Sequence, residues 1–130
     1  MTHEFHFRVY YEDTDLAGIV YYANYLRFIE RARTEYLRDL GVDQARIKAE
    51  NGVVFAVRRV EADYLAPALF DDLLTVETTL TAQTGARIAL SQDIMRGEET
   101  LFRALVTVVA LTAEGKPARI PADVRRRIAE

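Results

Sequence analysis

"YYEDTDLAGIVYYANYLRFIERARTEYLRDLG", residues 10 to 41, carries both the one long helical pattern of the chain and its densest acid cluster. Tyr22, Tyr25, Leu26, Ile29, Ala32, Tyr36, Leu37 and Leu40 recur at three- and four-residue spacing. That spacing stacks them on one face of a helix. Arg27, Arg31, Thr34, Glu35 and Arg38 take the other face, with Arg31 and Glu35 spaced to pair one turn apart. Gly41 stands where a helix ends in a left-handed residue. Upstream, Phe5, Phe7, Val9 and Tyr11 alternate with His6, Arg8 and Tyr10, as in a half-buried strand running into the acids.

Downstream of a short helical turn from Asp43 to Glu50, the period changes from helix to strand. Val53, Phe55 and Val57 keep one alternation, and Val60, Ala62 and Tyr64 the opposite one. The phase slips at Arg58-Arg59, which predicts a β-bulge there. Leu74, Val76, Thr78 and Leu80 alternate next, then Ile88, Leu90, Gln92 and Ile94. The nearly unbroken apolar run from Leu101 to Leu111 predicts a central strand covered on both faces. A terminal helix enters through Pro121, in "IPADVRRRIAE". One strand, one long helix and four long antiparallel strands make an α+β domain over residues 1–130. One helix cannot cover both faces of such a sheet, and the apolar residues left over point to an oligomer.

Composition narrows the function classes. No run of eighteen apolar residues is present, so no membrane span is expected. Met1 to Phe7 carries acid and histidine where an export signal needs a basic and then an apolar segment. A cytoplasmic protein is the expectation. The absence of cysteine excludes a disulfide framework, a thiol nucleophile and thiolate metal sites. A net charge of −3 argues against broad nucleic-acid binding. Of 17 basic side chains only Lys48 and Lys116 are lysines. Arginine suits bidentate phosphate contact, although a GC-rich coding sequence produces the same bias.

Glu12, Asp13 and Asp15 crowd into four positions, and the next charge is Arg27. A calcium loop fits poorly, because Ala17 and Asn24 stand where oxygen ligands are needed. A magnesium-dependent phosphotransferase D-x-D belongs on a doubly wound sheet, whose repeated strand–helix units are missing. A third reading rests on the position between a strand end and a helix N-terminus, with Gly18 between. Free N–H groups around Tyr21 to Asn24 attract an anion or a developing oxyanion. A nearby carboxylate could then attack a carbonyl or activate water against it. Equally, Asp13 or Asp15 could simply form a turn.

At these residues the chain resembles the hotdog-fold acyl-CoA thioesterases of the 4-hydroxybenzoyl-CoA thioesterase superfamily. "YYEDTDLAGIVYYANYLRFIERARTEYLR" is most similar to the bacterial members encoded beside the Tol–Pal genes. The likeness continues through "VVFAVRRVEADYLAPALFDDLLTVET" and "PARIPADVRR". It implies a curved antiparallel sheet of five or six strands around one long helix. It also implies a homodimer, often paired into a tetramer, with active sites between subunits. The implied substrate is an acyl-CoA, hydrolysed to an acid and free CoA without metal or cofactor. The family's catalytic carboxylate falls on Asp15, as nucleophile or general base, and its carbonyl-polarising amide falls near Tyr22. Tyr11 matches a tyrosine that recurs before the acids. One departure stands out: the Tol–Pal-associated members carry "VVYHA", whereas this chain has "IVYYA", with Tyr22 in the histidine's place.

Other residues carry weaker expectations. Gly18 and Tyr25 are candidate substrate-binding positions, and Arg58, Arg59 and Arg87 are candidates for CoA phosphates, against a solvated or ion-paired reading. Glu12 and Asp13 read as turn formers, Glu30 as a charge partner of Arg31 or Arg33, and His3 and His6 as surface residues. Two rival functions stay open. A hydratase of the same fold would need a His beside the helix start, and none is there. A non-catalytic module would bind acyl-CoA, acyl carrier protein or an envelope-system partner.

Overall fold

Alternation in β1 (Thr2–Arg8) half-buries His3, Phe5 and Phe7 by turns and leaves Thr2, Glu4, His6 and Arg8 exposed. The computed structural model describes residues 2–129; Met1 and Glu130, the ends of the expected 1–130 domain, lie outside the described residues. After β1 come α1 (Asn24–Asp39), α2 (Gln44–Asn51) and β2 (Val53–Tyr64). β3 (Leu73–Gln83), β4 (Arg87–Arg96), β5 (Glu99–Thr112) and α3 (Ala122–Ala129) complete the chain. The five strands form one antiparallel sheet in the order β1-β3-β4-β5-β2. Phe28, Ile29 and Ala32 of α1 are buried, as are Leu74, Val76, Ile94, Phe102 and Val106 of the sheet. Each large side chain taken fully out of water contributes about 2 kcal/mol.

α1 starts two residues later than its periodicity suggests, so Tyr22 and Leu26 sit exposed at its open end. At its other end Gly41 has φ +81 and its N–H donates to the Arg38 carbonyl, which stops the helix as expected. The short helix is capped by Asp43, whose carboxylate accepts from the Arg46 N–H. The bulge falls where the alternation slips: Val57 lies opposite Val108 and Arg59 opposite Thr107, leaving Arg58 unpaired.

Some local expectations change. β1 ends at Arg8, and Tyr11–Asp13 is a single 3-10 turn, not strand. The Leu101–Leu111 run lies one strand from the sheet edge, and β4 holds the centre. Phe102, Ala104, Val106, Val108 and Ala110 face the core, while Arg103 and Leu105 stand exposed on the other side. Arg31 does not pair with Glu35, whose carboxylate is taken by Arg38 one turn on. Glu30 is exposed, accepts a hydrogen bond from Thr34 and makes no direct ion pair, although its charge acts on nearby Arg33. His3 is not a free surface residue. Its Nε2 lies 2.7 Å from an Asp39 oxygen and its ring packs edge-on to Tyr36.

Candidate active site

The acidic stretch is a tight surface loop built by its own backbone. Val9 is buried, and its N–H donates to the Asp72 carbonyl at 2.9 Å. Asp13 closes the 3-10 turn by accepting from the Tyr10 N–H at 2.8 Å, so it is a turn former. Thr14 and Val20 then pair across the loop, with the Asp15 N–H donating to the Ile19 carbonyl. The turn between them closes where the Gly18 N–H donates to the Asp15 carbonyl at 2.9 Å. The Asp15 side chain is exposed, and its Oδ1 accepts from the Ala17 N–H at 2.9 Å. One carboxylate oxygen is thereby oriented, and the other makes no protein hydrogen bond among the described residues.

Gly18 has φ +81, a region that an L side chain enters at a cost of about 1 kcal/mol. A Cβ there would meet nothing within 4 Å, so backbone strain alone decides the substitution. Gly18→Ala is expected to lower stability by about 1 kcal/mol through that strain and to lower activity by more, because the turn carries Asp15. Thermal melting and turnover measured on one preparation check this; equal fractional losses in Asn and Ala variants would remove the φ argument.

At the helix start some donors are consumed and others are left. The Tyr21 N–H donates to the Asp13 carbonyl and the Asn24 N–H to the Tyr21 carbonyl, both at 2.9 Å. Among the described residues the N–H groups of Tyr22 and Ala23 have no protein acceptor. Asn24 also donates from Nδ2 to the Asp13 carbonyl at 2.9 Å, tying the acid loop to the helix. Asn24 was not legible as a clamp, since the sequence marks it only as a polar residue at a helix start.

An aromatic layer lies behind these amides. Tyr25 is buried, stacks on Phe102 with centroids 5.2 Å apart, and accepts from the Ala68 N–H. Burial pushes the Tyr25 phenol upward in pKa, and the charges of Asp72 and Asp15 add to that against the Ala68 hydrogen bond and Arg96. Tyr64 packs edge-on to Tyr25 and Phe102, and its hydroxyl donates to the Tyr22 carbonyl at 3.0 Å. The segment 65–72 supports the loop from outside: the Val20 N–H donates to Ala68, and Ile19 bridges to Leu69. Arg96 pins that segment through Asp72 at 2.7 Å and also holds Glu99 at 2.8 Å. Those hydrogen bonds, Glu99 first, raise its already high pKa.

The remaining candidates are placed as follows. Tyr11 is exposed and packs edge-on to Phe70. The Arg59 guanidinium lies 2.6 Å from Glu61, and Arg58 is the unpaired bulge residue. Arg87 lies opposite Val109, whereas Tyr64 lies opposite Phe102. At 3.3 Å per residue, that places it about 23 Å along the sheet from the aromatic layer. Among the described residues no group of three or more His, Asp or Glu side chains gathers as a metal site.

A sheet wrapped on one helix, with a carboxylate loop at that helix's N-terminus, defines a hotdog-fold thioesterase architecture. Residues 9–128 match the thioesterase-like superfamily, and the chain belongs to it. It is 44% identical over 119 residues to the acyl-CoA thioesterase YbgC of Haemophilus influenzae, covering 91% of this chain and 88% of that protein. The crystal structure of a probable thioesterase from Bartonella henselae superposes with a TM-score of 0.89 at 41% identity, covering 93% of this chain and all of that one. A 1,4-dihydroxy-2-naphthoyl-CoA thioesterase from Synechocystis superposes with a TM-score of 0.91 at 26% identity, covering 100% of this chain and 97% of the other.

Proposed function

We propose that this enzyme hydrolyses the thioester of an acyl-CoA to a carboxylic acid and free CoA. The observation that carries the reading is local. A carboxylate with one oriented and one free oxygen is tied, through the Asp13 carbonyl, to a helix start where the Tyr22 and Ala23 amides are unpaired. The thioester oxygen takes the Tyr22 amide, and its carbon faces Asp15. Two routes fit. Asp15 attacks the carbon, the C–S bond breaks, CoA leaves as a thiolate that takes a proton, and water cleaves the resulting anhydride. Alternatively, Asp15 accepts a proton from water as that water attacks the carbon, the C–S bond then breaks, and CoA leaves as a thiolate that takes up the proton. Both need the oxyanion donors, and neither needs a metal or cofactor. Tyr22 presents an exposed phenol where the Tol–Pal-associated relatives carry His, so its contribution is the backbone amide. Gly18, Tyr11 and Tyr25 shape the loop and the layer behind it. The decisive experiment is thiol release from a panel of acyl-CoAs, acetyl to palmitoyl with benzoyl and 4-hydroxybenzoyl, by wild type and Asp15→Asn. Saturable CoA binding without turnover by wild type would favour a binding module for acyl-CoA, acyl carrier protein or an envelope-system partner.

The working unit in this reading is a cytoplasmic homodimer, which can pair further into a tetramer. No described helix is long and apolar enough to cross a membrane, and a charged CoA ester is confined to the compartment that makes it. β2 is an edge strand of twelve residues. Val57, Val60 and Tyr64 share the helix-side alternation and are exposed there. A long unpaired apolar edge is a site for pairing with another strand. A second copy along β2 covers it, and brings the partner's β2 arginines to new positions for CoA phosphates. Val60→Asp is expected to shift the particle to monomer mass in light scattering. A variant with wild-type mass would place the interface elsewhere.

A further inference from the structure

The unpaired Tyr22 and Ala23 amides belong to peptide groups whose carbonyls are already engaged. The Tyr21 carbonyl, in the same peptide as the Tyr22 N–H, accepts from Asn24. The Tyr22 carbonyl, in the same peptide as the Ala23 N–H, accepts from the Tyr64 hydroxyl at 3.0 Å. A hydrogen bond to a peptide oxygen draws electrons from its nitrogen and strengthens the N–H as a donor. The peptide bonds are all trans, so the Ala23 N–H points away from Tyr64.

Resting on the thioesterase reading of this site, we infer that Tyr64 is a positioning residue. Its hydroxyl orients and polarises the Tyr22–Ala23 peptide, so that the Ala23 N–H joins the Tyr22 N–H in holding the thioester oxyanion. The ring is fixed for this task. It packs 5.0 Å from Phe102, 5.3 Å from Tyr25 and 6.3 Å from Tyr22, all edge-on. One face of the half-exposed ring is held by that layer, its hydroxyl reaches the Tyr22 carbonyl, and its partial burial among aromatic rings favours the protonated, donating form. Tyr64 sits on the edge strand, so pairing of β2 with a second copy bears directly on the same peptide.

Tyr64→Phe removes the hydroxyl and keeps the ring. The expected result is a fall of about tenfold in kcat with KM nearly unchanged. That is smaller than the 10²–10³ lost when an oxyanion donor itself is removed. The melting temperature should stay within a degree or two of wild type. A purely structural role would instead lower the melting temperature and leave kcat alone. 3-Fluorotyrosine at position 64, a stronger donor, should restore kcat to wild type or above. Wild-type kcat in Tyr64→Phe, with turnover still dependent on Asp15, would overturn this inference alone. No turnover by wild type on any thioester would overturn the site reading and this inference together.

Discussion

Asp15→Asn is expected to reduce acyl-CoA turnover by about a thousandfold or more, since it removes the one group that can attack or deprotonate. The substitution is nearly isosteric. Asn keeps an oxygen to accept from the Ala17 N–H, as Asp15 does at 2.9 Å. The side chain is exposed, so no buried partner is orphaned and the melting temperature should hardly move. What is lost is the negative charge and with it both nucleophilicity and basicity. Thiol release and thermal melting, run together, separate loss of chemistry from loss of fold. A folded mutant that turns over substrate like wild type would assign the chemistry to another group. Asp13, whose Oδ2 accepts from the Tyr10 N–H while its other oxygen has no protein partner among the described residues, is the first such group to test by Asp13→Asn.

The largest expected effect on stability falls at Gln92. This side chain is fully buried on β4, beneath α1. Its Nε2 donates to the Ile29 carbonyl at 2.9 Å and to Thr78 Oγ1 at 3.0 Å, and its Oε1 accepts from Arg33 at 2.8 Å. Gln92 thus fastens the middle of the helix to the centre of the sheet. Burial pulls the Arg33 pKa down, with the nearby Glu30 charge acting the other way, so its guanidinium depends on the acceptor it has. Gln92→Leu matches the volume but leaves Thr78 without its donor and Arg33 without its acceptor. The expected loss is about 3 kcal/mol, or roughly 10 °C in melting temperature for a domain of this size. Adding Arg33→Leu should return much of that loss, because removing both partners of a buried contact costs less than removing one. Melting at fixed protein concentration tests it; a single mutant as stable as wild type would show that water takes over these contacts.

The structure agrees with the sequence reading where the signal is local. The slip in alternation at Arg58-Arg59 appears as the register shift between Val57 and Arg59. Gly41 ends α1 in a left-handed conformation. The reading was less accurate where apolar content stood in for position. The Leu101–Leu111 run looks doubly covered, yet its outer face stays open, because one helix covers only the inner side of the sheet. Tyr11 continued the β1 alternation, but Asp13 folds the chain into a turn before that strand can extend.

By itself the sequence determined the element order, most of the buried face of α1 (Phe28 excepted), the bulge, and an acid loop at a helix start. Those follow from period and turn chemistry, which act over a few residues. Only the tertiary structure decided which amides at that start are unpaired, since the Asp13 carbonyl takes one and the Tyr21 carbonyl another. It also decided that Tyr64, 42 residues downstream, reaches the Tyr22 carbonyl, and that Gln92 holds a helix 63 residues upstream. Periodicity states which face a side chain occupies. It does not state what lies opposite, because that partner is chosen by packing between elements distant in the chain.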